Sequence, residues 1–205
     1  MPGASLTTGE FNEILGKYDP VAVRSHSINT RCYTDPGFLE IEREQVFHRS
    51  WQFLCHEEKL RQPGSYVTLN IQGQPIVALR NRDGELRAYY NVCKHRGHEL
   101  LSGEGQIKRI TCPYHAWTYD LNGALVTAPR SEHLEGFEQK EICLSQVQVE
   151  IFCHLAFVNL DPAAESLAAQ SGELESRGGQ LSRVLSLSGG PQGFQFDDRH
   201  GYLQG

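Results

Sequence analysis

Short alternating stretches dominate the middle of the chain. Tyr66-Val67-Thr68-Leu69-Asn70 and Pro75-Ile76-Val77-Ala78-Leu79-Arg80 read as strands, separated by Gln72-Gly73-Gln74. Asn81-Arg82-Asp83-Gly84 is a turn signal, and the stretch from Glu85 to Val92 supplies the return strand of a hairpin. Further short strands are predicted at 107–111, 116–121, 147–152 and 154–160. Asn122-Gly123, between Tyr119-Asp120-Leu121 and Ala124-Leu125-Val126, is a second hairpin signal. Upstream the period changes. Phe38, Leu39, Ile41, Val46 and Phe47 form an apolar stripe at helical spacing, behind Asp35 as cap and Pro36 at the first helical position. This predicts a helix over about 36–49, followed by Trp51-Gln52-Phe53-Leu54 as a short strand.

Regularly spaced short strands with turn chemistry point to a mainly β fold. The expectation is a small antiparallel β-sandwich or barrel preceded by an N-terminal helical segment. A loop-rich α+β domain is the competing reading. After Asp161-Pro162 the texture changes again, and half of positions 170–205 are Gly, Ser or Gln. Leu181, Val184, Leu185 and Leu187 allow one or two helical turns before Gly189-Gly190-Pro191 breaks them. The expected organisation is an N-terminal extension with a helix over 1–50, a β domain over 51–162, and a poorly ordered tail over 163–205.

Composition narrows the function classes. With 39% hydrophobic residues, the 205-residue chain has enough apolar surface for a core. Its 19 Lys and Arg against 25 Asp and Glu give a net charge of −6, which argues against a nucleic-acid partner. No apolar run approaches the length of a membrane span, and Met1 to Glu10 lacks the apolar region of an export signal. A cytoplasmic location is the expectation. In such a compartment Cys32, Cys55, Cys93, Cys112, Cys143 and Cys153 are buried apolar residues or metal ligands rather than disulfides.

Two of them have informative neighbours. Cys93-Lys94-His95 and Cys112-Pro113-Tyr114-His115 are two loops of similar design, separated by residues 96–111. Thiolates and imidazoles bind iron, zinc or copper. A common zinc finger orders its ligands Cys, Cys, His, His. Here the order is Cys, His, Cys, His. That order suits a 2Fe-2S centre of Rieske type, with two Cys on one iron and two His on the other. Cys55-His56 and Cys153-His154 have no matching second loop of that kind, and His26, His48, His133 and His200 stand alone. Cys32, Cys55, Cys143 and Cys153 are expected to be buried or idle.

The stretches Tyr89-Tyr90-Asn91-Val92-Cys93-Lys94-His95-Arg96-Gly97 and Cys112-Pro113-Tyr114-His115-Ala116-Trp117-Thr118-Tyr119-Asp120-Leu121-Asn122-Gly123 resemble the Rieske domain of ring-hydroxylating oxygenase α subunits. His95 to Leu101 followed by Cys112 to Trp117 is similar to the branch with carnitine, choline and glycine betaine monooxygenases. The resemblance runs from about 30 to 162. It implies that Cys93 and Cys112 bind the inner iron, and His95 and His115 the outer one. It also implies that Arg96, Gly97, Pro113 and Trp117 support the two loops, although Trp117 reads equally as a core aromatic. Respiratory and photosynthetic Rieske proteins clamp their loops with a disulfide. The corresponding positions here are His98 and Tyr114, so a potential toward the lower end of roughly −150 to +300 mV is expected.

Complete α subunits of this kind add a domain with a mononuclear Fe(II) held by two His and one carboxylate. Asp197-Asp198-Arg199-His200 matches that pattern in part, but Gly205 stands where the second His should fall. The expected product is therefore the electron-transfer half of an oxidoreductase, truncated before the oxygen-activating iron and inactive alone. The alternatives are a stand-alone Rieske ferredoxin or a non-redox zinc module. The resemblance implies a flavin-dependent reductase as donor, an oxygenase catalytic domain or subunit as acceptor, and a usual trimer.

Overall fold

The computed structural model describes residues 19–131 and 135–172, together with Thr7, Gly9, Asn12, Glu13 and Leu174. Its N-terminal part holds two short helices, α1 (Arg31–Thr34) and α2 (Pro36–Glu42). Asp35 caps α2 as its sequence suggests, its carboxylate accepting the Gly37 N–H at 2.9 Å with Pro36 in the first turn. The predicted helix over 36–49 does not continue as one α-helix. Arg43–Phe47 winds more widely, and the His48 N–H reaches back five residues to the Arg43 carbonyl at 2.9 Å.

Among the described residues ten strands follow: β1 (Gln52–His56), β2 (Ser65–Ile71), β3 (Gln74–Arg80), β4 (Leu86–Tyr90), β5 (Glu104–Gln106), β6 (Ile110–Thr111), β7 (Thr118–Tyr119), β8 (Leu125–Thr127), β9 (Gln146–Phe152) and β10 (Leu155–Asn159). Seven form one antiparallel, curled sheet in the order β1-β10-β9-β4-β3-β2-β5, and β6-β7-β8 form a second. The fold is mainly β, as the alternation predicts. Two predicted strands come out shorter. The 107–111 stretch is split, because the Ile107 N–H bonds Gly64 O at 2.9 Å before β6 begins. The 116–121 stretch keeps only Thr118 and Tyr119, because the residues before them belong to a loop.

β3 explains how two cores share one sheet. Its side chains alternate, sending Val77 and Leu79 to one apolar cluster and Ile76 and Ala78 to the other, all four fully buried. The first cluster joins the two sheets through Tyr89, Ile110, Trp117, Tyr119, Leu121 and Leu125. The Asn122-Gly123 hairpin is fitted tightly to it. Gly123 has φ +85°, and a Cβ there would meet Tyr89 Cε1 at 2.7 Å. Tyr89 donates to Leu121 O at 3.3 Å, and burial pushes its phenol up to about 12. Buried Asn81 ties the sheets again, donating to Asn122 Oδ1 at 2.8 Å and accepting from the Glu85 N–H at 2.7 Å.

Beyond β10 the chain stays packed for another turn. A helix α3 (Leu167–Ser171) is capped by Ser166, whose hydroxyl accepts the Ala169 N–H at 3.2 Å. The Leu167 N–H bonds Glu150 Oε2 at 2.8 Å, and Trp51 Nε1 donates to Glu165 O at 3.0 Å. The start of the expected tail is thus tied to the sheet by side chains the local pattern does not flag. Leu181 to Leu187 and Asp197 to His200 lie outside the described residues. No helix among the described residues is long and apolar enough to cross a membrane.

Candidate metal centre

Two loops leave the end of the large sheet and the β6–β7 connection with the same backbone design. In the first, the Cys93 N–H bonds His98 O at 2.8 Å and the Gly97 N–H returns to Cys93 O at 2.9 Å. In the second, the Cys112 N–H bonds Trp117 O at 2.8 Å and the Ala116 N–H returns to Cys112 O at 3.0 Å. The residue four beyond each cysteine is left-handed, Gly97 at φ +72° and Ala116 at φ +59°. Glycine adopts that shape freely, whereas alanine there costs about 1 kcal/mol. Buried Asn91 braces the first loop, donating to Leu101 O at 2.6 Å and accepting the Leu101 N–H at 3.0 Å.

This design brings Cys93, His95, Cys112 and His115 together. Both cysteines are 2% exposed, and their thiols interact, since Cys112 bears on Cys93. Burial pushes the Cys93 thiol up from its ordinary value. The two imidazoles meet edge to face with ring centroids 4.7 Å apart. Nδ1 of His95 and Nδ1 of His115 are both buried, and neither has a hydrogen-bond partner among the described residues. Two orphaned ring nitrogens are costly unless something fills the space between the loops. His115 is held below the ordinary imidazole value by burial first, then by His95, Arg96, Arg130 and His98. The neutral ring is the form that ligates a metal.

The supporting residues divide. Trp117 is both a core aromatic and a contact of the site, 7% exposed and stacked on the His95 ring at 4.7 Å. Phe137 meets Trp117 edge-on at 5.8 Å. Gly97 shapes its loop, Arg96 stands at the rim, and Pro113 is exposed on the second loop. His98 lies against Tyr114 at 5.5 Å, a ring contact across two loops that no disulfide joins.

Three residues were missed by motif reasoning. The Tyr119 hydroxyl accepts the Lys94 N–H at 2.9 Å and lies 3.4 Å from Cys93 Sγ. Because its oxygen already accepts, its proton is free for the sulfur. Arg130 and Phe137 reach the site from the 128–137 stretch, which carries no motif. Elsewhere Cys55 is buried, Cys32 half-buried, and Cys143 and Cys153 exposed. The β1–β10 pairing does set Cys55-His56 beside Cys153-His154, with the two rings stacked at 6.4 Å. Among the described residues, no three His, Cys, Asp or Glu side chains gather as one metal ion requires.

Two buried thiols and two inward nitrogens fit a centre spread over two irons better than a single ion. The comparisons agree. Residues 50–138 match the model of the Rieske [2Fe-2S] domain, the class of domain that holds a 2Fe-2S cluster. Within that class it is similar to oxygenase subunits. The carnitine monooxygenase oxygenase subunit of Acinetobacter pittii is 42% identical over 154 residues, covering 75% of this chain and 42% of the relative. That of Escherichia coli is 46% identical over 145 residues, covering 70% of this chain and 39% of the relative. Benzene 1,2-dioxygenase subunit alpha of Pseudomonas putida is 36% identical over 165 residues, covering 80% and 34%. The crystal structure of the quaternary ammonium Rieske monooxygenase CntA with an inhibitor matches with TM-score 0.71 and 40% identity, over 74% of this chain and 42% of that one. The chain thus spans about two fifths of the length of the carnitine monooxygenase subunits it matches.

Proposed function

We propose that Cys93 and Cys112 hold one iron of a 2Fe-2S cluster, that His95 and His115 hold the other through Nδ1, and that the chain serves as the electron-transfer part of an oxygenase α subunit. The observation that carries this reading is the pair of buried Nδ1 atoms, without partners among the described residues, on rings 4.7 Å apart and in the same loops as two buried thiols. When bound, such a cluster supplies reversible one-electron chemistry. The chain's own residues set the conditions for it. Trp117 fixes the plane of the His95 ring by stacking, and the two left-handed loop residues turn both histidines inward. Tyr119 offers a hydroxyl proton to Cys93 Sγ, which stabilises the more negative, reduced state. His95 and His115 are part-exposed on their outer sides, which gives the electron a short route out.

In this reading a flavin-dependent reductase supplies electrons and an oxygenase catalytic domain, with its own mononuclear Fe(II), takes them. A quaternary amine is the substrate class favoured by the relatives. The 51–162 segment is the cluster-bearing unit, and trimeric assembly is the family's pattern. The test is anaerobic purification with iron, sulfide and zinc assayed alongside visible absorbance and low-temperature EPR. Two irons and two sulfides per chain, with a Rieske-type signal after dithionite, are expected. A colourless protein that binds zinc, or that stays without metal after reconstitution, overturns the reading.

A further inference from the structure

Resting on that electron-transfer reading, we propose that Lys94 sets the cluster's potential through its charge, and that Ser145 is the positioning residue that holds this charge in place. Lys94 stands between Cys93 and His95, and it is fixed at both ends. Its N–H donates to the Tyr119 hydroxyl at 2.9 Å, and its ammonium donates to Ser145 Oγ at 2.6 Å. Ser145 is anchored in turn. Its carbonyl accepts the Tyr90 N–H at 2.9 Å, next to the Tyr89–Gln146 pairing of β4 with β9. The lysine side chain therefore reaches from the first loop to the start of β9, and rests on the strand pair that feeds that loop. An exposed lysine has much side-chain freedom to lose, so a fixed one needs a reason.

The charge balance of the cluster supplies one. Two ferric ions, two sulfides and two thiolates sum to zero beside neutral imidazoles, and one electron takes the sum to −1. A fixed positive charge nearby therefore acts on the reduced state far more than on the oxidised one, and favours reduction. The group that holds Lys94 is a neutral hydroxyl, so the contact localises the ammonium without cancelling its field. A carboxylate in the same position would pair with it. Adjacent Cα atoms lie about 3.8 Å apart, which keeps the ammonium on the order of 10 Å from Cys93 Sγ. That is about one Debye length at 0.1 M salt, close enough for the charge to be felt. The same residue also engages, through its backbone, the tyrosine hydroxyl that lies 3.4 Å from Cys93 Sγ. Its backbone thus orients a hydrogen bond to the sulfur, and its side chain adds a field.

The experiment uses the whole chain loaded with its cluster, and reads the midpoint potential by mediated titration of the visible bands. Wild type is compared with Lys94→Arg, Lys94→Gln, Lys94→Glu and Ser145→Ala. At a fixed applied potential, Lys94→Gln should lower the reduced-to-oxidised ratio about threefold, which is about 30 mV at 59 mV per tenfold. Lys94→Glu doubles the change in charge and should lower the ratio about ninefold. Lys94→Arg should leave it nearly unchanged. Ser145→Ala touches neither cluster loop, and should give a smaller drop in the same direction. The gap between wild type and Lys94→Gln should narrow as salt is added, because the charge is exposed. A purely mechanical tie predicts equal shifts for Lys94→Gln and Lys94→Glu and a gap indifferent to salt, and that result overturns the proposal. So does an unchanged potential in Ser145→Ala, which also decides the matter if the Lys94 variants fail to take up iron. A wild-type chain without a Rieske-type signal overturns the electron-transfer reading, and this inference with it. A wild-type signal whose potential ignores the charge at position 94 overturns this inference alone.

Discussion

Among the described residues cysteines and histidines come together in pairs at two places, and the proposed cluster draws on only one of them. At the loop end of the sheet lie Cys93, His95, Cys112 and His115. At the far end of β9, strand pairing sets Cys55-His56 beside Cys153-His154. The residue types are the same, but the spacing is not. Neighbours in a strand leave on opposite faces, so Cys55 is buried while His56 is exposed. No cluster can draw on both. In the loops, one or two intervening residues and a left-handed residue turn both side chains to the same side. The histidine nitrogens record the outcome. His56 Nδ1 accepts the Glu58 N–H at 3.2 Å, and His154 Nδ1 is engaged by the Glu57 carboxylate, whereas both loop histidines keep Nδ1 buried and without a partner. A histidine that is satisfied by protein is a structural one. A buried nitrogen without a partner among the described residues is open to a ligand, which is what the proposed cluster requires.

The largest effect should come from removing one member of each set. His115→Ala is expected to abolish the Rieske-type EPR signal and the visible bands while far-UV circular dichroism stays β-rich. His154→Ala is expected to leave the spectrum as it was. If His154→Ala removes the bands, or His115→Ala keeps them, the two places have been assigned the wrong way round.

A smaller effect tests the tuning at the first place, which the second lacks. Tyr119→Phe removes the hydroxyl from Cys93 Sγ and leaves the ring in the core. With one hydrogen bond to sulfur worth about 1–1.5 kcal/mol, the midpoint potential should fall by about 40–60 mV, read by a spectroscopic redox titration. An unchanged potential with an intact cluster would mean that the hydroxyl serves only the Lys94 N–H.

The contrast also marks where sequence reading succeeds. Cys93, His95, Cys112 and His115 were legible because ligand order and loop spacing are local properties. So were the Asn122-Gly123 hairpin and the Asp35-Pro36 helix start, which depend on a few adjacent residues. Tyr119 was not, since a tyrosine in a short strand has no local mark of the sulfur it will face. Arg130 was hidden because Pro-Arg-Ser carries no turn signal for a positive φ. The pairing of Cys55-His56 with Cys153-His154 depends on strand register across the chain, and so does the docking of α3 against Glu150. The wide turn at Arg43–Phe47 changes the pitch of the predicted helix and leaves Leu39 and Val46 of the expected stripe exposed, which periodicity alone does not resolve.

The smallest effect separates strain kept for a task from strain without one. The β9–β10 hairpin turns through Cys153 at φ +49° and His154 at φ +65°, positions that favour Asn and Gly. Cys153→Asn with His154→Gly relaxes two left-handed residues. The variant loses the exposed His154–Glu57 contact, worth at most about 1 kcal/mol, and gains some unfolded-state freedom through glycine. A net gain of about 1 kcal/mol in urea unfolding is expected, since each non-glycine residue in this region costs about 1–2 kcal/mol. The cluster spectrum should not move. At the other end, Ala116→Gly relaxes the same kind of backbone, but the freedom it returns lies beside His115. There the gain in stability should be smaller and the EPR line shape should broaden. A tip variant that unfolds earlier would show that the His56–His154–Glu57 contacts outweigh the strain, and a shifted cluster signal would show that the two ends of the sheet are coupled.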